Sequence, residues 1–155
     1  MAKTATTAAA RRPSPLTRDN LGFLLAKASQ RWNELLAERF AAAGFPEVRP
    51  SYGSILVPLY EEDGLRMGEI ARRARLSKQT ITTMVRLLER DGLVERRADP
   101  QDGRAALVFL TRRAQAFRPI AEATLRELTH RAKRRLGTAA TDALSVALRQ
   151  LAELE

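Results

Sequence analysis

Residues 67–111 read MGEIARRARLSKQTITTMVRLLERDGLVERRADPQDGRAALVFLT. Residues 67–75 form a short helical pattern with Ile70, Ala71 and Ala74 on its inner side. Ser77 is the predicted N-cap of the next helix, because its hydroxyl can accept from the first unpaired backbone N–H groups. That helix reaches Arg90 and stops at Asp91 and Gly92. Residues 93–97 read as a strand, 99–103 as a turn containing Pro100 and Gly103, and 106–110 as the returning strand. The stretch therefore spells a helix–turn–helix followed by a β-hairpin wing.

The second helix is built to read something. At 3.6 residues per turn, Ile81, Met84, Val85 and Leu88 fall on one side, and Gln79, Thr82, Thr83, Arg86 and Arg90 on the other. The outer set is short and polar near the N-terminus and cationic toward the C-terminus, which suits a helix entering the major groove N-terminus first. Gln can pair with adenine N6 and N7, and Thr can donate to an acceptor or lay its methyl on thymine. Lys78 lies at the edge, near phosphate or guanine, and Ser77, with the helix N-terminus, can hold a phosphate. Arg72, Arg73 and Arg75 on the preceding helix face only Glu69 and can reach the sugar–phosphate backbone. The wing tip carries Asp99, Asp102 and Arg104. An arginine on a narrow tip can enter the minor groove, and Asp102 can orient its guanidinium through a charge-assisted bond.

The flanks are helical. Over 20–43, Leu21, Leu24, Leu25, Ala28, Trp32, Leu35, Leu36 and Phe40 recur at three- and four-residue steps until Gly44 and Pro46. Pro50 opens a short helix with Tyr52, Ile55, Leu56 and Leu59, closed by a turn at Glu62, Asp63 and Gly64. Thr111 can cap a long fifth helix reaching about residue 136, with Phe117, Ile120, Leu125 and Leu128 on one side and basic residues on the other. Gly137 and Thr138 break the chain before a last helix holding Ala143, Leu144, Leu148 and Leu151. Helices that are apolar on one side at both termini are what an intertwined dimer needs; the alternative is that they fold back on their own module. The fold class is mainly α with a small β-hairpin: a winged helix-turn-helix flanked by N- and C-terminal dimerisation helices. The expected division is a flexible basic tail at 1–18, helical dimerisation regions at 19–48 and 112–155, and a DNA-binding region at 49–111.

Composition narrows the function. The 155 residues carry a net charge of +9, which favours a polyanionic partner. There is no cysteine, which removes disulfides, thiolate metal sites and thiol redox sensing and is compatible with a reducing cytoplasm. A single histidine, His130, rules out a His-rich metal site within one chain and reads as a surface or interface residue. No apolar run is long enough to span a bilayer, and the N-terminal stretch has no long apolar core of a secretory signal. Nothing assembles a nucleophile with a base, a carboxylate pair with a pocket, or a phosphate-cradling glycine loop. We therefore expect no enzyme and no cofactor.

These residues together resemble the MarR family of winged-helix transcription regulators, over nearly everything after the tail. The family's entry to the reading helix stands here as Leu76, Ser77, Lys78, Gln79 and Thr80, and its Leu-Glu-Arg-x-Gly-Leu-Val-Glu-Arg join as residues 88–96. Its wing pattern stands as Asp102, Arg104, Val108, Leu110 and Thr111. The resemblance implies a homodimer on a pseudo-palindromic operator in double-stranded DNA, with Arg104 in the minor groove and Asp102 supporting the wing. It also implies repression relieved by a small aromatic or anionic effector between the dimer helices and the reading module. Phe23, Trp32 and Tyr52 are the candidate ligand contacts, although such aromatics are more often plain core. Three positions depart from the family habit: Ala114 and Arg75 stand where Gly is frequent, and Arg66 where Thr usually caps the third helix. The cysteine of the peroxide-sensing branch is missing. The alternative function is an architectural DNA-binding protein of low specificity, suggested by the basic fifth helix and tail.

Overall fold

The computed structural model describes residues 14–155. Most of the expected flexible basic tail at 1–18 lies outside the described residues. Six α-helices and three strands follow: α1 (Leu21–Ala42), a 3-10 turn (Pro50–Tyr52), α2 (Gly53–Glu61), β1 (Leu65–Arg66), α3 (Met67–Ala74), α4 (Lys78–Arg90), β2 (Val94–Asp99), β3 (Asp102–Leu110), α5 (Arg112–Leu136) and α6 (Thr138–Leu151). The described residues divide into two compact units, one ending at Glu34 and the other starting at Leu35, with the division inside α1.

Local chemistry sets the helix ends. Ser77 Oγ accepts from the Thr80 N–H at 3.1 Å and starts α4. Thr111 Oγ1 accepts from the Ala114 N–H at 3.3 Å and starts α5, while its own hydroxyl donates to the Gly92 carbonyl at 2.6 Å. One side chain thus caps α5 and ties it to the end of α4. The third helix is one residue shorter than its pattern, because Arg75 leaves it with φ 53, in the left-handed region. Only glycine adopts that conformation without cost, which accounts for Gly at this position elsewhere in the resembling pattern.

The sheet is larger than the hairpin read from the sequence. Its order is β1-β3-β2, all antiparallel, with Leu65 opposite Val108 and Arg66 opposite Leu107. β1 is only two residues long, too short for any periodicity to mark it. The hairpin also extends further toward its tip, to Asp99 and Asp102, which face each other beyond a bulge at Ala98 and Asp99. Polar tip residues carry no strand pattern, but their backbone groups still pair. Asp63 Oδ1 accepts from the Leu110 N–H at 2.9 Å and holds the far end of β3. Gly64 has φ +72, and a Cβ there would lie 2.6 Å from the Phe109 ring, so the turn into β1 requires glycine on both counts.

The core of the module is formed by Ile55, Leu59, Ile70, Ile81, Val85, Leu88, Leu93 and Val108, all completely buried. Each contributes about 1.5–3 kcal/mol by leaving water. Helix α5 is joined to the end of α1 by Phe40, whose ring meets Phe117 edge-on at 4.7 Å, and by a two-pronged pair of Arg39 with Glu127. In contrast, α6 leaves Leu144, Val146 and Leu148 exposed, and α5 leaves Leu125 and Leu136 exposed. In the N-terminal unit Leu21, Phe23 and Leu24 are exposed. No helix of the described residues is long and apolar enough to cross a membrane.

Candidate nucleic-acid interface

Helix α4 presents the outer face that its sequence predicts. Ile81, Val85 and Leu88 are buried, while Lys78, Gln79, Thr80, Thr83, Arg86 and Arg90 are exposed and Thr82 is half-buried. The threonines are more constrained than the sequence implies. Thr82 donates its hydroxyl proton to the Lys78 carbonyl at 2.9 Å, and Thr83 donates to the Gln79 carbonyl at 3.1 Å. The Thr80 and Ser77 hydroxyls lie 2.7 Å apart. A hydroxyl has one proton, so Thr82 and Thr83 offer a methyl group and acceptor lone pairs, not a donor. Gln79 is exposed, and its amide bonds to no described residue.

The three arginines beside α4 differ from one another. Glu69 accepts from Arg72 at 2.9 and 2.6 Å and from Arg73 at 2.8 Å. Hydrogen bonds from these two guanidiniums, Arg72 first, bring its carboxyl down to about 2. Arg73 also donates to Glu62 at 2.5 Å and is three-quarters buried, so it ties α3 to the end of α2. Arg72 is 71% exposed despite its pair. Arg75 donates to the Ala152 carbonyl at 3.3 Å and lies 3.7 Å from Glu153. The sequence groups all three as backbone contacts; the structure leaves Arg72 the most open and Arg73 the least.

At the wing, Asp102 does not reach the Arg104 guanidinium as the sequence suggested. Its Oδ1 accepts from the Arg104 backbone N–H at 3.0 Å, a local turn bond available to any short acid at that spacing. It therefore shapes the strand start and leaves the guanidinium alone. Arg104 is exposed, and neither it nor Lys78 nor Arg86 makes an ion pair with any described residue. By contrast Arg66 pairs with Asp99, Arg96 with Glu89, and Arg97 with Glu95. Arg66 does not cap α3: no side-chain bond is made there, and its guanidinium goes to Asp99 instead. This pair was not visible in the sequence, where its members stand 33 residues apart.

Phe23 and Trp32 lie in the N-terminal unit, where Phe23 is exposed and Trp32 half-buried. Tyr52 is 1% exposed, and its hydroxyl donates to Asp91 Oδ2 at 2.5 Å, which makes it a core residue anchored to the end of α4. A cavity of about 420 Å³ opens instead among α1, α2 and α5, lined by Leu36, Phe40, Leu56, Tyr60, Phe117 and Leu125 and reached by Arg49 and Arg118. Tyr60 lines it with its ring, while its hydroxyl donates to the Ala114 carbonyl at 2.6 Å. Arg118 is held by Glu122 and the Tyr60 carbonyl, whereas Arg49 is exposed and stacks only loosely on Tyr52, at 6.0 Å. Sequence reading placed Phe40 and Phe117 on apolar helix faces, and only the packing of three helices turns those faces into a cavity wall.

Fold and surface together define a winged helix-turn-helix protein with a polar outer face on α4 and an exposed arginine, Arg104, at the wing tip. Its relatives agree: the MarR family model matches residues 50–106. A crystal structure of a probable transcriptional regulator from Pseudomonas aeruginosa is 31% identical, with a TM-score of 0.74 over 86% of this chain and 97% of that one. The transcriptional repressor CouR bound to a 23-mer DNA duplex superposes with a TM-score of 0.74 at 27% identity, over 90% of this chain and 100% of that one. The repressor Rv2887 of Mycobacterium tuberculosis is 37% identical over 78 residues, 50% of this chain and 56% of its own length. The chain belongs to the MarR family. It spans 35% to 56% of the length of the first curated relatives that it matches.

Proposed function

We propose that this protein is a dimeric, sequence-specific DNA-binding transcription repressor of the cytoplasm, released from its operator by a small ligand. One observation carries the reading. Around the module most arginines are matched to acids of the same chain, while Lys78 and Arg86 on the reading helix and Arg104 at the wing tip have none among the described residues. Unmatched cations on the two elements shaped for the grooves are a phosphate and base-edge footprint. Ser77, Lys78, Gln79, Thr80, Thr82, Thr83 and Arg86 serve the major groove, Arg104 the minor groove, and Arg72 and Arg75 the backbone. Asp102 shapes the wing, and Arg73 acts through its ion pairs.

The exposed leucines of α5 and α6 are the dimer surface of this reading, since a lone chain leaves them in water. The cavity among α1, α2 and α5 is the effector site: apolar walls for a ring or chain, and Arg49 for an acid group. The structure of the repressor CouR on a DNA duplex supports the operator part of the reading.

Selection from a random duplex library at physiological salt tests it. A two-fold symmetric motif with half-sites about one helical turn apart is the expected result. Binding that returns no motif and vanishes as salt rises would replace it with the architectural reading. On the selected duplex, Arg104→Ala is expected to weaken binding about tenfold with the dimer intact. Gln79→Ala is expected to change base preference more than total affinity.

A further inference from the structure

We infer that Arg66 is a positioning residue for the wing: by clamping Asp99, it sets where the hairpin tip and its Arg104 meet DNA. The inference rests on the DNA-binding reading of the wing.

The pairing of β1 with β3 ends at Arg66 opposite Leu107. Beyond it, the tip is a two-stranded ribbon with a bulge, and such a ribbon is marginally stable by itself. Open space surrounds it. A cleft of about 550 Å³ lies between the tip and the module, lined by Leu65, Arg66, Glu69, Pro100 and Leu107. Another of about 610 Å³ separates the wing from the start of α4, lined by Gly68, Lys78, Asp102 and Arg104. Arg66 borders both clefts.

Across the gap Arg66 donates from Nε to Asp99 Oδ2 at 2.6 Å, with Nη2 at 2.5 Å from the same oxygen. The Asp99 side chain is 5% exposed, and its charge is offset by the Gln101 N–H and by the Arg66 guanidinium, the one cation paired with it among the described residues. Its other oxygen accepts from the Gln101 N–H at 2.9 Å and closes the tip turn. Asp99 faces Asp102 across the turn, and Asp102 accepts from the Arg104 N–H. One carboxylate therefore joins the root of α3, the tip turn and the strand that presents Arg104.

Arg66 is itself half-exposed, and a direct phosphate contact is the rival role. The two roles separate on the sign of one substitution. Asp99→Asn keeps an acceptor for Gln101 but loses the charge that holds Arg66. A direct contact would be freed by it, and repulsion from DNA would fall, so binding would tighten. A positioning clamp would be lost, and binding would weaken.

The experiment titrates the full-length protein into a labelled duplex carrying the selected motif, or a random-sequence duplex if selection returns none. We expect Arg66→Ala and Asp99→Asn each to weaken binding about tenfold, the equivalent of ~1.4 kcal/mol. We expect the Arg66→Ala, Arg104→Ala double variant to bind no more weakly than Arg104→Ala alone, because a clamp matters only through what it positions. Arg66→Ala replaces a half-exposed side chain, so it decides the question with the double variant even if Asp99→Asn fails to fold. Tighter or unchanged binding by a folded Asp99→Asn protein, or additive losses in the double variant, would overturn the inference. If Arg104→Ala alone binds like the wild type, the wing reading itself fails and the inference goes with it.

Discussion

Val85 in α4 and Val146 in α6 are the same side chain on neighbouring kinds of helix, yet one is completely buried and the other is 47% exposed. The difference runs through their surroundings. Around Val85, Ile81, Leu88, Leu93 and Val108 are completely buried, and the outward face is polar, with Lys78 and Arg86 unmatched among the described residues. Around Val146, Leu144 and Leu148 are exposed as well, and Thr141 is the buried residue of the helix. The module core is closed; α6 carries apolar surface that the described residues leave uncovered. A buried face specifies a fold, and an uncovered one specifies an assembly.

The sharpest way to break that contrast is at α6. Leu144→Glu with Leu148→Glu is expected to raise the dissociation constant of the proposed dimer about a thousandfold or more, ~4 kcal/mol, because each carboxylate loses water in an apolar seam. Sedimentation across a concentration series reads this, and a dimer of unchanged strength would move the interface elsewhere. Next, Leu88→Ala in the module core should cost about 3 kcal/mol of stability by removing buried methyl groups and leaving a cavity. Thermal melting checks it, and a loss below about 1 kcal/mol would show that the core is looser than its burial implies. Ser77→Ala removes the α4 cap and should cost about 1 kcal/mol, visible as a lower melting temperature. An unchanged melting temperature would mean that α4 is held by packing alone.

The smallest effect is a pH dependence at the joint between module and α5. Burial pushes the Tyr60 hydroxyl up to about 12. Below its ordinary pKa of about 10 the group is neutral both folded and unfolded, and its contribution is fully present. Between about 10 and about 12 the unfolded chain ionises while the folded one does not, so stability falls as pH rises through that window. Tyr60→Phe should flatten this slope and cost about 1 kcal/mol at neutral pH through the lost bond to the Ala114 carbonyl. Melting curves at stepped pH compare the two; an identical slope in the variant would assign the alkaline loss to other groups.

Much of the molecule was legible because its signals are local. The spacing of Ile81, Val85 and Leu88, the hydroxyls of Ser77 and Thr111, and the turn chemistry of residues 99–103 act within a few residues of themselves. They mark α1, α3, α4 and α5 to within one residue and the outer face of α4 as a whole, while α2 starts three residues after Pro50, behind a 3-10 turn. The outward set survived folding because solvated side chains need no partner to be where the helix puts them. The features that differ from the sequence pattern are those that need a second element. Tyr52 read as a ligand aromatic, and only the arrival of Asp91 from the end of α4 made it a core anchor. Arg66 read as a poor cap, and only the folding back of the wing gave it Asp99.

By itself, then, the sequence determined the helix–turn–helix, the wing, their caps and the polar face of the reading helix, since periodicity and capping are properties of short stretches. Tertiary structure alone decided the pairing of β1 with β3, the Arg66–Asp99 clamp, the choice of Arg73 for internal ion pairs over surface exposure, and the cavity among α1, α2 and α5. Each of these joins groups from separate elements. A two-residue strand, a half-exposed arginine or a phenylalanine has no pattern of its own that names its partner, so only the closed fold can choose one.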